Sequence, residues 1–140
     1  MTALDQAKNS LLKGECTCVL SNGEKGLFST KRGVKPLLEW LDTGEDFSSF
    51  YAADKVVGMA TAFLYVLLKV QGVYARVISK RGVQVLKNNA IFVEYEDVVE
   101  NIINRKGDGV CPIESAVAVA KTSKEAYELI IATLAKLSQV

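Results

Sequence analysis

Residues 52–69 constrain the fold of this chain more than any other segment, because they form a long and nearly continuous apolar run, AADKVVGMATAFLYVLLK. Drawn as a helix, this run is apolar on almost every side, and a helix that is apolar all round is a buried one. The segment therefore predicts a buried central helix with Asp54 and Lys55 in its first turn. Two interpretations of these charges are open: they are neutralised at the edge of the core, or they meet a ligand.

Composition and charge limit the classes to which the chain can belong. With 140 residues, 49% hydrophobic and 24% charged, it has the composition of a soluble globular protein, and we expect one domain over residues 1–140. A net charge of +1 gives no general attraction to nucleic acid or to an anionic membrane. The apolar run 56–68 is shorter than the ~20 residues that span a bilayer. We expect neither a nucleic-acid nor a membrane partner.

The cysteines and the amino end favour a cytoplasmic location. Cys16, Cys18 and Cys111 suit a reducing compartment better than a disulfide framework. The first residues lack the apolar core of a secretion signal. Cys16 and Cys18 lie two apart on a predicted strand, so we expect them on one face, either as buried thiols or as two contacts to a metal.

The pattern of apolar residues and turn residues predicts the order helix, hairpin, helices, strand, helix, strand, helices. Predicted helices lie at 2–13, from Pro36, at 52–69, 82–89 and 97–104, from Cys111-Pro112 and from Thr122, and predicted strands at 16–20, 25–30, 73–79 and 91–95. A hairpin followed by strands that are joined through helices implies a mixed sheet with helices on both faces. We therefore predict a three-layer α/β/α sandwich.

Three segments resemble those of a small prokaryotic family known as domain of unknown function 1893. They are Ala52–Gly58, Asn104-Arg105 and Cys111–Glu114, and the resemblance extends from about Cys16 to Val119. The resemblance implies a cytidine-deaminase-like fold. It implies no particular activity.

Zinc-dependent deamination needs a metal-held water, usually one His or Cys and two Cys as ligands, and a carboxylate that transfers protons. The resemblance implies that the His-x-Glu signature falls on Ala52-Ala53-Asp54 and the Pro-Cys-x-x-Cys signature on Ser79–Val83. Neither place carries a ligand. We expect no metal site, no cofactor and no deamination of the ordinary zinc-dependent kind.

Several residues near the predicted helix start are candidate ligand contacts, each with a structural alternative. A neutral Lys55 would be a nucleophile toward a sugar carbonyl or a base, whereas the alternative is an ion pair. Gly58 indicates a close approach by either a neighbouring strand or a ligand. Ser48 and Ser49 either cap the helix or hold a phosphate.

A second group of candidates follows the last predicted strand. Cys111 precedes a helix start, where the helix dipole favours a reactive thiol, and Glu114 lies in the first turn of that helix. Together they form either an acid/base or covalent pair, or a buried thiol beside a structural acid. Arg105 is either an anion anchor or a partner in a surface ion pair.

The sequence predicts a protein that binds a nucleotide or another ribose-containing small molecule without zinc. The predicted ligand contacts are Ser48, Ser49, Asp54, Lys55, Gly58, Cys111 and Glu114, and the predicted catalytic residues are Asp54, Lys55 and Cys111. Whether the protein is an enzyme stays open. The alternative is an interaction or regulatory module that uses a sheet edge or a helix face, such as that of the last helix, to pair with itself or with another protein.

Overall fold

The computed structural model describes residues 2–103, 107 and 109–138. Over these residues the chain forms six helices and five strands. In chain order they are α1 (Ala3–Leu12), β1 (Cys18–Ser21), β2 (Gly26–Ser29), α2 (Lys35–Asp42), β3 (Tyr51–Val57), α3 (Met59–Leu68), β4 (Gly72–Ser79), α4 (Lys80–Asn88), β5 (Phe92–Val99), α5 (Pro112–Val117) and α6 (Ser123–Leu137). Among these helices, none is long and apolar enough to cross a membrane.

The five strands form one mixed sheet in the order β2-β1-β3-β4-β5. Strand β1 is antiparallel to both β2 and β3, whereas β3, β4 and β5 are parallel to one another. The prediction of an α/β fold with a mixed sheet is therefore confirmed. The register places Asp54 of β3 opposite Cys18 of β1 and beside Ala75 of β4, near the middle of the sheet.

The core lies on both faces of the sheet and is larger on one of them. On one face, α1 packs Ala7 and Leu11 against Val19, Ala53 and Tyr74. On the other, the apolar residues of α2, α3 and α4 pack against Leu20, Ala52 and Val73 in the main core. Helix α6 buries Ala126 and Ile130 in the same core and packs against α3 and α5. The apolar face of α6 is therefore partly covered by α3 and α5.

Local sequence signals account for the first elements. Thr2 and Asp5 form the capping box of α1, in which each side chain accepts from the other's backbone amide. The Ser21-Asn-Gly segment turns the hairpin, with Gly23 at φ +96° and the Asn22 amide donating to the Lys25 carbonyl. The predicted first helix and hairpin are therefore confirmed, and so is Pro36 in the first turn of α2.

The prediction of a central helix over residues 52–69 is wrong for the first third of that segment. Residues 51–57 form the strand β3, and the helix α3 begins only at Met59. The physical reason is that a parallel strand covered by helices on both faces is as continuously apolar as a buried helix. Asp54 and Lys55 consequently lie on a strand and not in the first turn of a helix.

Two smaller predictions also fail. Residues 97–99 extend β5 instead of starting a helix, since Val98 and Val99 are β-branched and pair with Ile78 and Ser79; Asn104 lies outside the described residues. Cys16 and Cys18 lie on opposite faces, Cys16 toward α1 and Cys18 toward α3, because Cys16 precedes the strand.

Candidate functional site

Three titratable side chains meet inside the main core, where α3 crosses β1 and β3. The Tyr65 hydroxyl donates to Oδ2 of Asp54 at 2.7 Å. The Cys18 thiol lies 3.6 Å from the same oxygen and 3.1 Å from the Tyr65 hydroxyl oxygen. Tyr65 is fully buried, Cys18 is 1% exposed and Asp54 is 6% exposed. The group combines a buried acid, a phenol and a thiol in mutual hydrogen-bond contact.

Burial changes the acidity of all three groups. Loss of solvation raises the pKa of Asp54 from 3.8 to about 7, although hydrogen bonds from Tyr65 and Cys18 oppose the rise. Burial, and then the negative charge of Asp54, raise the pKa of Tyr65 well above its ordinary value. The same two causes raise the pKa of Cys18 well above the ordinary thiol value. Near neutral pH, Asp54 is therefore the member that exchanges its proton.

A cavity of about 250 Å³ opens beside Asp54. Its lining comprises Thr17, Cys18, Lys31, Arg32, Gly33, Pro36, Asp54, Lys55 and Val56. Cys18, Pro36 and Asp54 are its buried members, whereas Lys31 and Arg32 are exposed at its rim. Cations at the mouth and a protonatable acid inside suit an anionic ligand that also carries a hydrogen-bond donor.

The segment between β2 and α2 carries the cations of the rim. Thr17 holds this segment, since its hydroxyl donates to the carbonyl oxygens of Ser29 and Lys31. Gly33 has φ +66°, which lets the chain turn into α2. The first turn of α2 has no side-chain cap, because Val34 occupies the N-cap position. Because Gly33 and Pro36 at this helix start line the cavity, the positive end of the α2 dipole lies beside it.

The cations differ in their pairing. Lys31 forms an exposed ion pair with Glu39 of α2. Across residues 2–103, 107 and 109–138, no ion pair involves Arg32 or Lys55. Alternation along β3 directs Lys55 away from the face that holds Asp54. There its charge partly offsets the rise that burial causes in the pKa of Cys16. Arg32 is thus the cation most available to a ligand.

The structure does not bring the predicted serines into this site. Ser48 and Ser49 are exposed in the turn before β3, where the Ser48 amide donates to Asp46. They lie at the opposite end of β3 from Gly58, roughly 20 Å away at about 3.3 Å per residue. Neither serine lines the cavity or caps a helix.

The carboxylate of Glu114 occupies the space that a side chain at position 58 would need. The carboxylate oxygens of Glu114 accept from the amides of Met59 and Ala60 at 2.7 and 2.8 Å, so this side chain caps α3. A Cβ atom on Gly58 would lie 2.3 Å from Oε1 of Glu114. The close approach predicted at Gly58 is therefore that of Glu114, and not of a neighbouring strand or a ligand.

Cys111 lies apart from the cavity lining. It is the half-buried N-cap residue of α5, and its amide donates to the carbonyl of Ile102. Arg105, together with the rest of the Asn104-Arg105 pair, lies outside the described residues. Of the predicted site residues, the structure therefore joins only Asp54 and Lys55 in one cavity.

Sequence reasoning missed four residues of this site. Tyr65 lies in the apolar run of the predicted central helix and Cys18 on a predicted strand, and nothing in their spacing from Asp54 indicates a contact. Lys31 and Arg32 carried a signal, since KRG between the hairpin and Pro36 places two cations and a flexible residue before a helix start. That signal is weak in a chain with 17 basic residues.

Because residues 51–57 form a strand, the two signatures implied for zinc ligands fall on other helix starts than those predicted. The helix that follows the hairpin is α2, and the helix that follows the third strand is α3. The corresponding starts are Gly33–Pro36 and Gly58–Ala60, and neither contains a Cys, His, Asp or Glu. Among the described residues, no group of three such side chains could hold a metal ion.

A larger depression of about 410 Å³ lies on the α1 side of the sheet, beside Ser10, Cys16 and Phe28. Its charged residues, Lys13 and Glu15, are of opposite sign. Burial raises the pKa of the Cys16 thiol, which donates to the Ser10 carbonyl at 3.7 Å. This depression offers a ligand less than the cavity at Asp54 does.

The order of the strands defines an α/β protein. The buried acid and the cavity with cations at its rim give it a candidate small-molecule site. Residues 6–134 match the model of the family described as Domain of unknown function (DUF1893), and the chain belongs to that family. A crystal structure of a DUF1893 family protein from Thermotoga maritima is similar, with a TM-score of 0.83 and 23% identity over 96% of this chain and 89% of that one. At this identity the likeness shows the fold alone. Among curated proteins, none matches the chain.

Proposed function

We propose that this protein binds a small anionic ligand, a nucleotide or another ribose-containing phosphate, in the cavity beside Asp54. One observation carries the proposal: a buried carboxyl with a pKa of about 7 opens into a cavity whose rim holds Lys31 and Arg32. Burying such a carboxyl costs stability. A ligand that donates a hydrogen bond to it provides a functional reason for its position.

The resemblance to cytidine deaminases adds support for this location. We propose a cytidine-deaminase-like fold, because a hairpin followed by parallel strands joined through helices is the order that the resemblance implies. In that fold the active site lies at the start of the helix after the hairpin. Here that helix is α2, and Gly33 and Pro36 at its start line the cavity. The three free thiols fit the cytoplasm as the compartment.

Acid/base chemistry at Asp54 is compatible with this proposal. A carboxyl whose pKa lies near the working pH is suited to proton transfer. A covalent step would need Lys55 or Cys111 as a nucleophile; Cys111 lies apart from the cavity, and the Lys55 side chain leaves β3 on the face opposite to Asp54. Binding is therefore the function that we propose, with any reaction assigned to Asp54 alone.

Titration calorimetry with nucleosides, nucleoside monophosphates, ADP-ribose and sugar phosphates tests the proposal. Phosphorylated compounds should bind and unphosphorylated nucleosides should bind at least tenfold more weakly. Arg32→Gln should weaken binding by roughly tenfold, as expected for the loss of a charge-assisted hydrogen bond.

The matched control is Arg81→Gln, which removes another exposed arginine from α4. It should bind as the parent does. The proposal fails if no phosphorylated compound binds, or if Arg32→Gln and Arg81→Gln have the same effect.

A further inference from the structure

The two oxygens of the Asp54 carboxyl have different surroundings. Tyr65 and Cys18 both contact Oδ2, at 2.7 and 3.6 Å. Tyr65 on α3 and Cys18 on β1 therefore hold Oδ2 in place. Asp54 nevertheless keeps 6% of its surface exposed and lines the cavity. The backbone amides of Val56 and Lys55 also donate to the carboxyl. The carboxyl is therefore held in place by the protein, and the part of it that lines the cavity faces a donor from a ligand.

The cavity is polar at two separated places. Lys31 and Arg32 lie at the exposed rim, whereas Asp54 lies inside. An anionic group favours the rim, since the carboxylate form of Asp54 would repel it. A neutral donor, such as a hydroxyl, favours the interior. The ligand must therefore carry a negative group at one end and a hydroxyl at the other.

The size of the cavity limits what lies between these two groups. Its volume of about 250 Å³ falls below the ~300–1,000 Å³ that is usual for drug-sized ligands. A whole nucleotide would leave its base outside. A single sugar ring between the phosphate and the hydroxyl suits an enclosure of this size.

We infer that the cavity holds a phosphorylated ribose, with the phosphate against Arg32 and one of the vicinal ring hydroxyls donating to the carboxyl of Asp54. This inference rests on the proposed function and specifies its ligand. Tyr65 is a positioning residue in this arrangement, because it orients Asp54 and does not itself line the cavity. The ribose comes either from a free sugar phosphate or from a nucleotide whose base projects into solvent.

Calorimetric titration of the intact protein with ribose 5-phosphate, AMP and the 2-deoxy and 3-deoxy forms of each tests the inference. Removal of the recognised hydroxyl should weaken binding by tenfold to a hundredfold, in line with a hydrogen bond to a charged group. Asp54→Asn should bind the complete ribose compounds more weakly and should discriminate less against the deoxy forms. Its thermal unfolding midpoint checks that the variant is folded.

Tyr65→Phe separates positioning from direct contact. It leaves Asp54 in place but removes the hydrogen bond that fixes Oδ2. Discrimination between ribose and deoxyribose should fall several-fold, whereas affinity for the deoxy compounds should stay unchanged. A variant that lost affinity for all compounds equally would contradict a positioning role.

The outcomes distinguish this inference from the function on which it rests. Equal binding of ribose and both deoxy forms, or unchanged discrimination in Asp54→Asn, overturns the ribose inference and leaves an anion site. Binding of AMP without ribose 5-phosphate also overturns it, since the base would then be required. Binding of ribose 5-phosphate alone supports a free sugar phosphate, and binding of both supports the nucleotide source as well. If no phosphorylated compound binds, the proposed function fails too.

Discussion

At the residue scale, Asp54 decides both the chemistry and a cost in stability. Its side chain lies in the apolar core and has two neighbours, Tyr65 and Cys18, whose own protons are held tightly. The folded protein therefore binds a proton at Asp54 more tightly than the unfolded chain does. This difference makes stability depend on pH in a range where few other groups titrate.

The first prediction concerns this pH dependence. Because the folded-state pKa of about 7 lies above the ordinary value of 3.8, the contribution of Asp54 is greatest at low pH and is lost as the pH rises toward 7. The free energy of unfolding from urea titrations should fall between pH 5 and pH 7, by at most about 1.4 kcal/mol per pH unit. Because the chain contains no histidine, few other side chains titrate in this pH range.

Asp54→Asn should remove most of this slope and should be more stable than the parent at pH 8. Asp46→Asn is the control, because hydrogen bonds from Ser48 lower the pKa of Asp46 and keep it out of the range. The control should retain the slope of the parent. Equal slopes in the parent and Asp54→Asn would show that Asp54 titrates normally.

At the element scale, the free backbone amides at the N-termini of the helices find their hydrogen-bond acceptors in different ways. Three of the six N-termini use the side chain of the N-cap residue, which is Thr2 for α1, Ser79 for α4 and Thr122 for α6. The start of α3 instead uses Glu114, which lies 55 positions along the chain from Met59. The start of α3 is therefore stabilised only after the chain has folded.

The second prediction follows from this distant cap. Glu114→Ala should lower the free energy of unfolding by about 1–2 kcal/mol, since two buried amides lose their acceptor. Gly58→Ala should be destabilising too, because its methyl group would displace the carboxylate. The double variant should cost little more than Glu114→Ala alone, as urea titrations would show.

Glu128→Ala, an exposed glutamate of α6, serves as the comparison and should stay within about 0.5 kcal/mol of the parent. Fully additive effects of the two substitutions would mean that Gly58 and Glu114 do not share one space.

The third prediction concerns the end of α4. Ala90 has φ +59°, a conformation that favours glycine, while the next amide, that of Ile91, donates back to Leu86. Ala90→Gly should raise the thermal unfolding midpoint, with a gain of about 0.5–1 kcal/mol. Ala132→Gly in the exposed middle of α6 should lose a similar amount. Destabilisation by both would place Ala90 in an ordinary helical conformation.

At the scale of the whole molecule, the sheet has two unequal edges. Strand β2 has four residues and β5 has eight. Phe92, Tyr95 and Val98 of β5 are 55%, 40% and 44% exposed. A long edge strand with exposed apolar side chains favours association between sheets. Acidic residues, Glu94, Glu96 and Asp97, occupy the same strand and oppose pairing with a second copy.

The fourth prediction tests this opposition. The parent should be monomeric by light scattering coupled to size exclusion at neutral pH and moderate salt. Glu96→Gln/Asp97→Asn should associate as concentration rises, because antiparallel pairing of two β5 strands no longer brings like charges together. Glu24→Gln/Asp42→Asn makes the same charge change away from β5 and should stay monomeric. A parent that is already dimeric would instead support the interaction-module alternative.

Features that depend on near neighbours along the chain could be predicted from the amino-acid sequence. The capping box at Thr2 and Asp5, the turn at Asn22-Gly23, Pro36 in α2 and the cap at Thr122 are of this kind. Each is a contact between residues a few positions apart, so local composition suffices to predict it. The mixed sheet follows from the order of these elements.

The sequence did not show that residues 51–57 form a strand, nor which residues form the site around Asp54; both depend on tertiary packing. Helices on both faces make β3 apolar on both sides, and an apolar run of that kind is equally consistent with a strand and with a buried helix. The surroundings of Asp54 come from Tyr65, Cys18 and the segment at Arg32, which the sheet and α3 bring together from distant positions. Such contacts arise from packing across layers, a long-range property that no pattern of neighbouring residues records.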